Sequence, residues 1–152
     1  MSALHPTTLA ALLSSIVTTL PAGIVNPDTE AVVWAPLGGV KIYSGLAPQG
    51  ENLFPRIVLS VIFGSDELAH DGPGVPDIRV QFSIQAATLA DAVTVRDQLY
   101  ARLHGYAGTL GTVRAGLVSY DSESTAYADD QGIFILPIDF TFALQPCWPT
   151  GN

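Results

Sequence analysis

The sequence has few charged residues and very few basic ones. Only 13% of its 152 residues are Asp, Glu, Lys or Arg, whereas soluble domains carry about 25%. Six residues are basic, Lys41 is the single lysine, and the net charge is -8. Tight binding to nucleic acid depends on clustered Lys and Arg, so this composition argues against a protein that grips DNA directly. The composition is compatible with an acidic surface that DNA passes without binding.

Cysteine and the common catalytic motifs are also scarce. Cys147 is the only cysteine, which excludes an internal disulfide and disfavours a cysteine-rich metal site. The chain has no Gly-x-Ser-x-Gly elbow, no phosphate-binding Gly-x-x-x-x-Gly-Lys loop and no dinucleotide fingerprint. Residues 1–23 lack a basic start, and Ser and Thr interrupt their apolar run, so they predict neither a signal peptide nor a membrane span. We therefore expect no enzymatic activity, no cofactor and no membrane partner.

Apolar residues, by contrast, make up 48% of the chain. A chain of this length can bury roughly 70% of its unfolded surface in one core, so the sequence predicts one domain over 1–152 with its core at about 6–145. So little charge leaves apolar patches at the surface, and such patches usually mark contacts with other chains. We expect an oligomer.

Two segments show the spacing of three and four residues that is typical of amphipathic helices. Pro6 suits the first turn of the first helix, and residues 21–23 end it. Its apolar positions are Leu9, Leu12, Leu13, Ile16, Val17 and Leu20. The second helix has Thr88 as N-cap, Asp91 three residues later as in a capping box, and Gly105 as its closing residue. Its predicted inward stripe consists of Leu89, Ala92, Val93, Leu99 and Leu103, with Tyr100 at the margin.

Alternating apolar residues predict the strands of a sheet. Residues 77–85 alternate strictly, so one face points inward and the other meets solvent or a polar partner. Residues 56–63 are apolar on both faces, which is typical of a central strand. Further strands are predicted at residues 31–34, 40–43, 112–120 and 132–144. Pro137 cannot donate to a ladder and so indicates a sheet edge or a bulge. The element order predicts an α+β fold: a largely antiparallel or mixed sheet, two main helices packed on one face, and a long loop between central strands.

Two polar loops hold eight of the fourteen acidic residues. Residues 64–77, GSDELAHDGPGVPD, are too long and too rich in Gly and Pro for a tight turn, and we expect an arm that reaches a neighbouring chain. The second loop, DSESTAYADDQ, occupies residues 121–131. With outward-facing strand residues, these loops define the predicted interface. Its residues are Asp66, Glu67, His70, Asp71, Arg79, Gln81, Arg114, Asp129 and Asp130.

Two histidines invite a chemical interpretation. His104 ends the second helix, where an imidazolium is favoured by the helix dipole and often bonds the last carbonyls. No acid or nucleophile stands at a recognisable spacing from it, so a structural cap is the better interpretation. His70 and the carboxylates around it could hold a divalent cation, but their spacing matches no metal-binding loop. A solvated acidic loop without metal is favoured.

Three segments together resemble a known family. They are FPRIVLSVIFG at 54–64, DIRVQFSIQAATLADAVTVRDQLYARLHG at 77–105, and GIFILPIDFTFAL at 132–144. They are similar to the tail terminators, small tail-completion proteins of long-tailed bacteriophages that are also found in phage-derived gene transfer agents. The likeness covers roughly Leu9 to Gln145 and consists of element order rather than catalytic residues.

The resemblance implies a homohexameric ring in the tail or neck of a virion, assembled in the host cytoplasm. Such a ring would dock on the last ring of tail-tube protein, stop tube polymerisation and present a surface to a head–tail connector or stopper protein. DNA would pass through the lumen without specific binding. Two alternatives within the same class of virion protein are another connector or stopper protein and a tail-tube protein. From a different class, the alternative is a small ligand-binding or enzymatic α+β domain with a pocket between helix and sheet.

Overall fold

The computed structural model describes residues 6–26, 28–45, 53–62, 77–110 and 113–144. Within them lie two helices and nine strands. These are α1 Pro6–Ala22, β1 Ile24–Val25, β2 Val32–Trp34, β3 Lys41–Ser44, β4 Arg56–Ile62, β5 Asp77–Ala86, α2 Leu89–Leu103, β6 Gly108–Leu110, β7 Val113–Glu123, β8 Tyr127–Ala128 and β9 Phe134–Leu144. The loop predicted between the central strands and Cys147 both lie outside the described residues.

Seven strands form the main sheet in the order β3-β4-β5-β9-β7-β6, with β8 paired to β9. Every pair in it is antiparallel except β3–β4, which is parallel. Strands β1 and β2 form a separate two-stranded ribbon. The predicted α+β fold with a mixed, largely antiparallel sheet is confirmed, while β1, β6 and β8 were not predicted.

Both helices share one hydrophobic core with the inward face of the sheet. Helix α2 packs on β5, β7 and β9, whereas α1 contacts β3, β6 and β7. Because β3 and β6 are the two edges of the sheet, one helix can touch both only if the sheet curls around it. The inward residues of β5 follow the predicted alternation and are at most 1% exposed: Ile78, Val80, Phe82 and Ile84.

The limits of α2 match the sequence prediction, but its buried stripe differs in part. The Thr88 hydroxyl accepts a hydrogen bond from the Asp91 N–H at 3.1 Å, as in the expected capping arrangement. The buried residues are Ala92, Val95, Leu99 and Leu103. Leu89 is 46% exposed and Val93 is only half-buried. Val93 was wrongly placed in the stripe because each residue turns the helix by about 100°, which aligns Val95 rather than Val93 with Leu99.

Pro137 does not mark a sheet edge, contrary to one of the two expectations. It lies within β9, pairs with Ser83 on one side, and accepts a hydrogen bond from the Ser124 N–H at its carbonyl on the other. Because the carbonyl and nitrogen of a strand residue face the same neighbour, the missing N–H points to the side where β9 changes partner from β7 to β8. The missing N–H therefore falls at the junction between β7 and β8, and it removes no hydrogen bond from a continuous strand pair.

Candidate interaction surfaces

The outward face of the main sheet carries a compact charged cluster. Arg79 of β5 lies between two carboxylates, with Nη2 at 2.8 Å from Asp139 Oδ2 and Nε at 2.9 Å from Asp121 Oδ2. The Ser122 hydroxyl accepts a further hydrogen bond from Nη2 at 3.3 Å. A register shift in β7 between Tyr120 and Ser122 provides the extra residue here, so Asp121 and Ser122 both reach the guanidinium.

The Arg79 guanidinium is held by side chains of its own sheet. The Asp139 side chain is only 9% exposed, whereas those of Arg79 and Asp121 are 39% and 38% exposed. A carboxylate as buried as Asp139 requires a paired cation and hydrogen bonds. Arg79 was predicted as an interface residue, and its described contacts all join β5, β7 and β9 within one molecule.

Three other predicted interface residues lie on the sheet or in the loop before β9. Gln81 lies half-buried on the same outward face, paired with Asp139 in the ladder. Asp129 holds the turn before β9, since its Oδ1 accepts the Gln131 N–H at 2.8 Å and the Ile133 N–H at 3.0 Å. Asp130 beside it is exposed.

The structure describes few contacts, or none, for the remaining predicted residues. Arg114 pairs with Thr109 in the β6–β7 ladder, and only that pairing is described. Asp66, Glu67, His70 and Asp71 lie outside the described residues. Among the predicted residues that the structure describes, Arg79 and Gln81 share one face of the sheet, and the interface that the full set defines stays a prediction.

His104 caps α2 in a different way from the expected one. Its own N–H donates to the Tyr100 carbonyl, but the ring Nδ1 accepts a hydrogen bond from the Tyr120 N–H of β7 at 3.0 Å. Through this bond the ring ties the helix end to the sheet instead of bonding the last helix carbonyls. The ring also stacks on Tyr100 with centroids 4.7 Å apart.

A small cleft of about 310 Å³ lies beside this contact, between α2 and β7. Arg96 closes one side through ion pairs to Asp97 at 2.9 Å and Glu123 at 3.0 Å. These two carboxylates raise its pKa, chiefly through the hydrogen bond that Arg96 donates to Asp97. Burial, with the nearby Glu123 charge, raises the pKa of the Tyr120 phenol. The cleft thus places a phenol with a raised pKa beside a guanidinium that is paired with two carboxylates.

The described residues also contain no group of three or more His, Cys, Asp or Glu side chains that could hold a metal ion. Every buried polar side-chain atom in the described part of the chain has a hydrogen-bond partner. No helix among the described ranges is long and apolar enough to cross a membrane.

The most apolar exposed surface is the β1–β2 ribbon, which sequence reasoning missed. Val25, Val32 and Val33 are 53%, 63% and 48% exposed. An open cleft of about 1040 Å³ runs between the ribbon and Thr109 of β6. The available signal was the pair of apolar runs IV and VVW on either side of NPDTEA, which is typical of a hairpin.

A second missed surface lies at the opposite edge of the sheet, on the outward face of β3 and β4. There Lys41 pairs with Arg56 and Tyr43 with Val58 in the parallel ladder. Arg56 lies over the ring of Phe54, 4.7 Å from the centroid, and its Nε donates to Gln85 Oε1 at 2.6 Å. This patch combines two cations with aromatic and apolar side chains.

Comparison with known proteins supports the fold. No protein-family model matches the chain, and no curated protein matches it. Among solved structures, a chain in the virion of a native gene transfer agent particle matches with a TM-score of 0.55 and 16% sequence identity, over 69% of this chain and 78% of that one. At this identity the likeness establishes that the two chains share a fold.

Proposed function

We propose that this chain is a structural protein of a phage-like virion, either a bacteriophage or a gene transfer agent. The observation that carries the proposal is the shared fold with a chain of a gene transfer agent virion. The sequence segments that resemble tail terminators coincide with β4, with β5 followed by α2, and with β9. These are the central strands and the helix that packs on them, so the resemblance concerns the core of the fold.

Within the virion, we propose the role of tail terminator. Six copies would form a ring that caps the tail tube, ends its polymerisation and offers its other face to a head–tail connector or stopper protein. A ring subunit needs two different side surfaces that complement each other head to tail. The low charge content and the exposed valines of the ribbon suit such surfaces. The site would be the tail or neck of the virion, after assembly in the host cytoplasm.

A structural role also accounts for the chemistry of the described residues. Their best-defined polar cluster, around Arg79, joins three strands of one sheet, and His104 joins helix to strand. We therefore propose that the chain has no enzymatic activity. The acidic loop at residues 64–77 and the predicted residues Asp129 and Asp130 would face a neighbouring protein or the lumen, where like charge keeps passing DNA unbound.

Electron microscopy tests the proposed role directly. The purified chain is imaged alone, with preassembled tail tubes, and with tube protein that is still polymerising; tubes without the chain serve as the control. The expected result is six-fold rings at tube ends and tubes that stop growing once a ring has bound. Long tubes made of this chain itself would identify a tube protein instead, and a chain that stays monomeric and ignores tubes would overturn the terminator role.

A further inference from the structure

The β1–β2 ribbon has the properties of a docking element. A two-stranded ribbon has little stability of its own in water, yet this one exposes three valines. Its tip is ordered locally: the Asn26 side-chain oxygen accepts the Asp28 N–H at 2.8 Å, and the Asn26 N–H donates to the Ala31 carbonyl at 2.8 Å. The ribbon therefore presents its apolar side chains from a preformed shape, which lowers the entropic cost of binding.

The charge of the ribbon restricts what can cover it. Asp28 and Glu30 are exposed at its tip, and the sequence from residue 23 to 40 contains no Lys or Arg. The complementary surface must therefore combine apolar area with positive charge.

The patch on β3 and β4 meets that description on this same chain. Residues 41–45 and 53–62 contain Lys41 and Arg56 and no acidic residue. Lys41 is exposed and, among the basic side chains that the structure describes, it is the one without a hydrogen bond or ion pair. Its ladder neighbour is Arg56. An incoming carboxylate would pair with Lys41, while Tyr43 and Val58 supply apolar contact.

The two surfaces lie beside different edge strands of the curled sheet. Trp34 of the ribbon contacts Tyr106, just before β6, with tilted rings whose centroids are 4.8 Å apart, and β6 is one edge strand. The patch is centred on β3, the other edge strand. A surface at one edge that complements a different surface at the other produces head-to-tail contacts, which close into rings when the rotation allows.

We propose that the ribbon of one copy, through Val25, Val32, Asp28 and Glu30, docks on the patch formed by Lys41, Tyr43, Arg56 and Val58 of the next copy. The inference rests on the proposed ring and names the pair of surfaces that builds it. Val25 and Val32, which are partners in the ribbon, cover the apolar part of the patch, and Asp28 or Glu30 pairs with Lys41.

Cross-linking by single cysteines tests the pairing and its direction. In a Cys147→Ser background, Val32→Cys and Lys41→Cys are made as separate variants, mixed and oxidised. The mixture should give disulfide-linked dimers that contain one of each variant, while either variant alone should give none. Dimers of Val32→Cys with itself would indicate a symmetric ribbon contact, and no heterodimer under conditions where rings form would place the contact elsewhere; both results overturn the inference.

Charge reversal supplies an independent measurement. Lys41→Glu and Asp28→Lys should each weaken self-association about tenfold or more, and the double variant should recover most of the loss. Val32→Asp should weaken it at least as much, whereas Leu89→Asp, at an exposed leucine on α2 outside both surfaces, should not. Light scattering gives the mass, and circular dichroism verifies each fold.

The two proposals fail in distinguishable ways. If rings form in the wild type and in all these variants alike, the terminator role stands and the assigned surfaces are wrong. If the wild type forms no ring even on tail tubes, the terminator role fails as well.

Discussion

Arg79 and Arg96 each bridge two carboxylates, but their surroundings differ. Arg79 contacts Asp139, whose side chain is 9% exposed. Arg96 contacts Asp97 and Glu123, which are 65% and 27% exposed. An exposed carboxylate that loses its cation returns to water, whereas a buried one stays desolvated and unpaired. The same side chain thus contributes differently at the two positions.

Arg79→Met should therefore lower the free energy of unfolding by about 1–2 kcal/mol, allowing for the partial exposure of the guanidinium. Arg96→Met should cost less than about 1 kcal/mol, because Asp97 is well solvated and Glu123 keeps more contact with water than Asp139 does. Urea denaturation of both variants beside the wild type measures the difference. Equal losses would show that the burial of Asp139 does not control the energetics of this cluster.

His104 illustrates what residue-level reasoning can and cannot supply. Its position after the last helical turn and before Gly105 predicted a cap, and the structure confirms a cap. The partner of the ring was not predictable, because Tyr120 is sixteen residues away and reaches the ring only through the packing of β7 under α2. Sequence spacing predicts contacts between residues that are close in the sequence, but not contacts that depend on tertiary packing.

At the scale of elements, the end of α1 depends on close approach between two backbones. Gly23 has a φ of +80°, and its N–H donates to the Thr19 carbonyl at 2.7 Å. A Cβ placed there would lie 2.7 Å from the Trp34 carbonyl oxygen. Glycine is therefore required twice, once for the left-handed conformation and once for the space through which the chain turns into the ribbon.

Gly23→Ala should cost about 1–2 kcal/mol for the left-handed backbone and about 1–3 kcal/mol more for the overlap with Trp34. Gly39→Ala is the matched control, since Gly39 has a φ of +76° and nothing within 4 Å of an added Cβ. Thermal unfolding of both variants isolates the overlap. If the two lose the same stability, the backbone at Gly23 shifts without cost.

Periodicity predicted the long elements and missed the short ones. The helix α2 and the strands β5 and β9 each carry enough alternating or three-to-four spaced residues for their inward faces to be recognised. The two-residue strands β1 and β8 are too short to show a period, and they form because a neighbouring strand is already in place. Both candidate docking surfaces depend on such context, which is why composition indicated an interface without locating it.

At the scale of the whole molecule, the charges are arranged to leave little positive surface free. Arg79 and Arg96 are paired with carboxylates, and Arg102 donates to the carbonyls of Ala35, Pro36 and Gln98. Lys41 and Arg56 lie side by side at one sheet edge. In the proposed head-to-tail contact an acidic ribbon covers Lys41 and Arg56 at that edge.

The assembled protein should therefore not bind DNA. Fluorescence anisotropy of a labelled duplex is expected to stay unchanged on titration into the micromolar range at about 0.15 M salt, because binding to phosphates requires several cations in a row. Lys41→Glu should leave this result as it is, and a basic DNA-binding domain titrated in parallel shows that the assay responds. Micromolar affinity that falls steeply with added salt would mean that cations outside the described residues line up along the duplex, and the idea of a lumen that DNA traverses unbound would have to be abandoned.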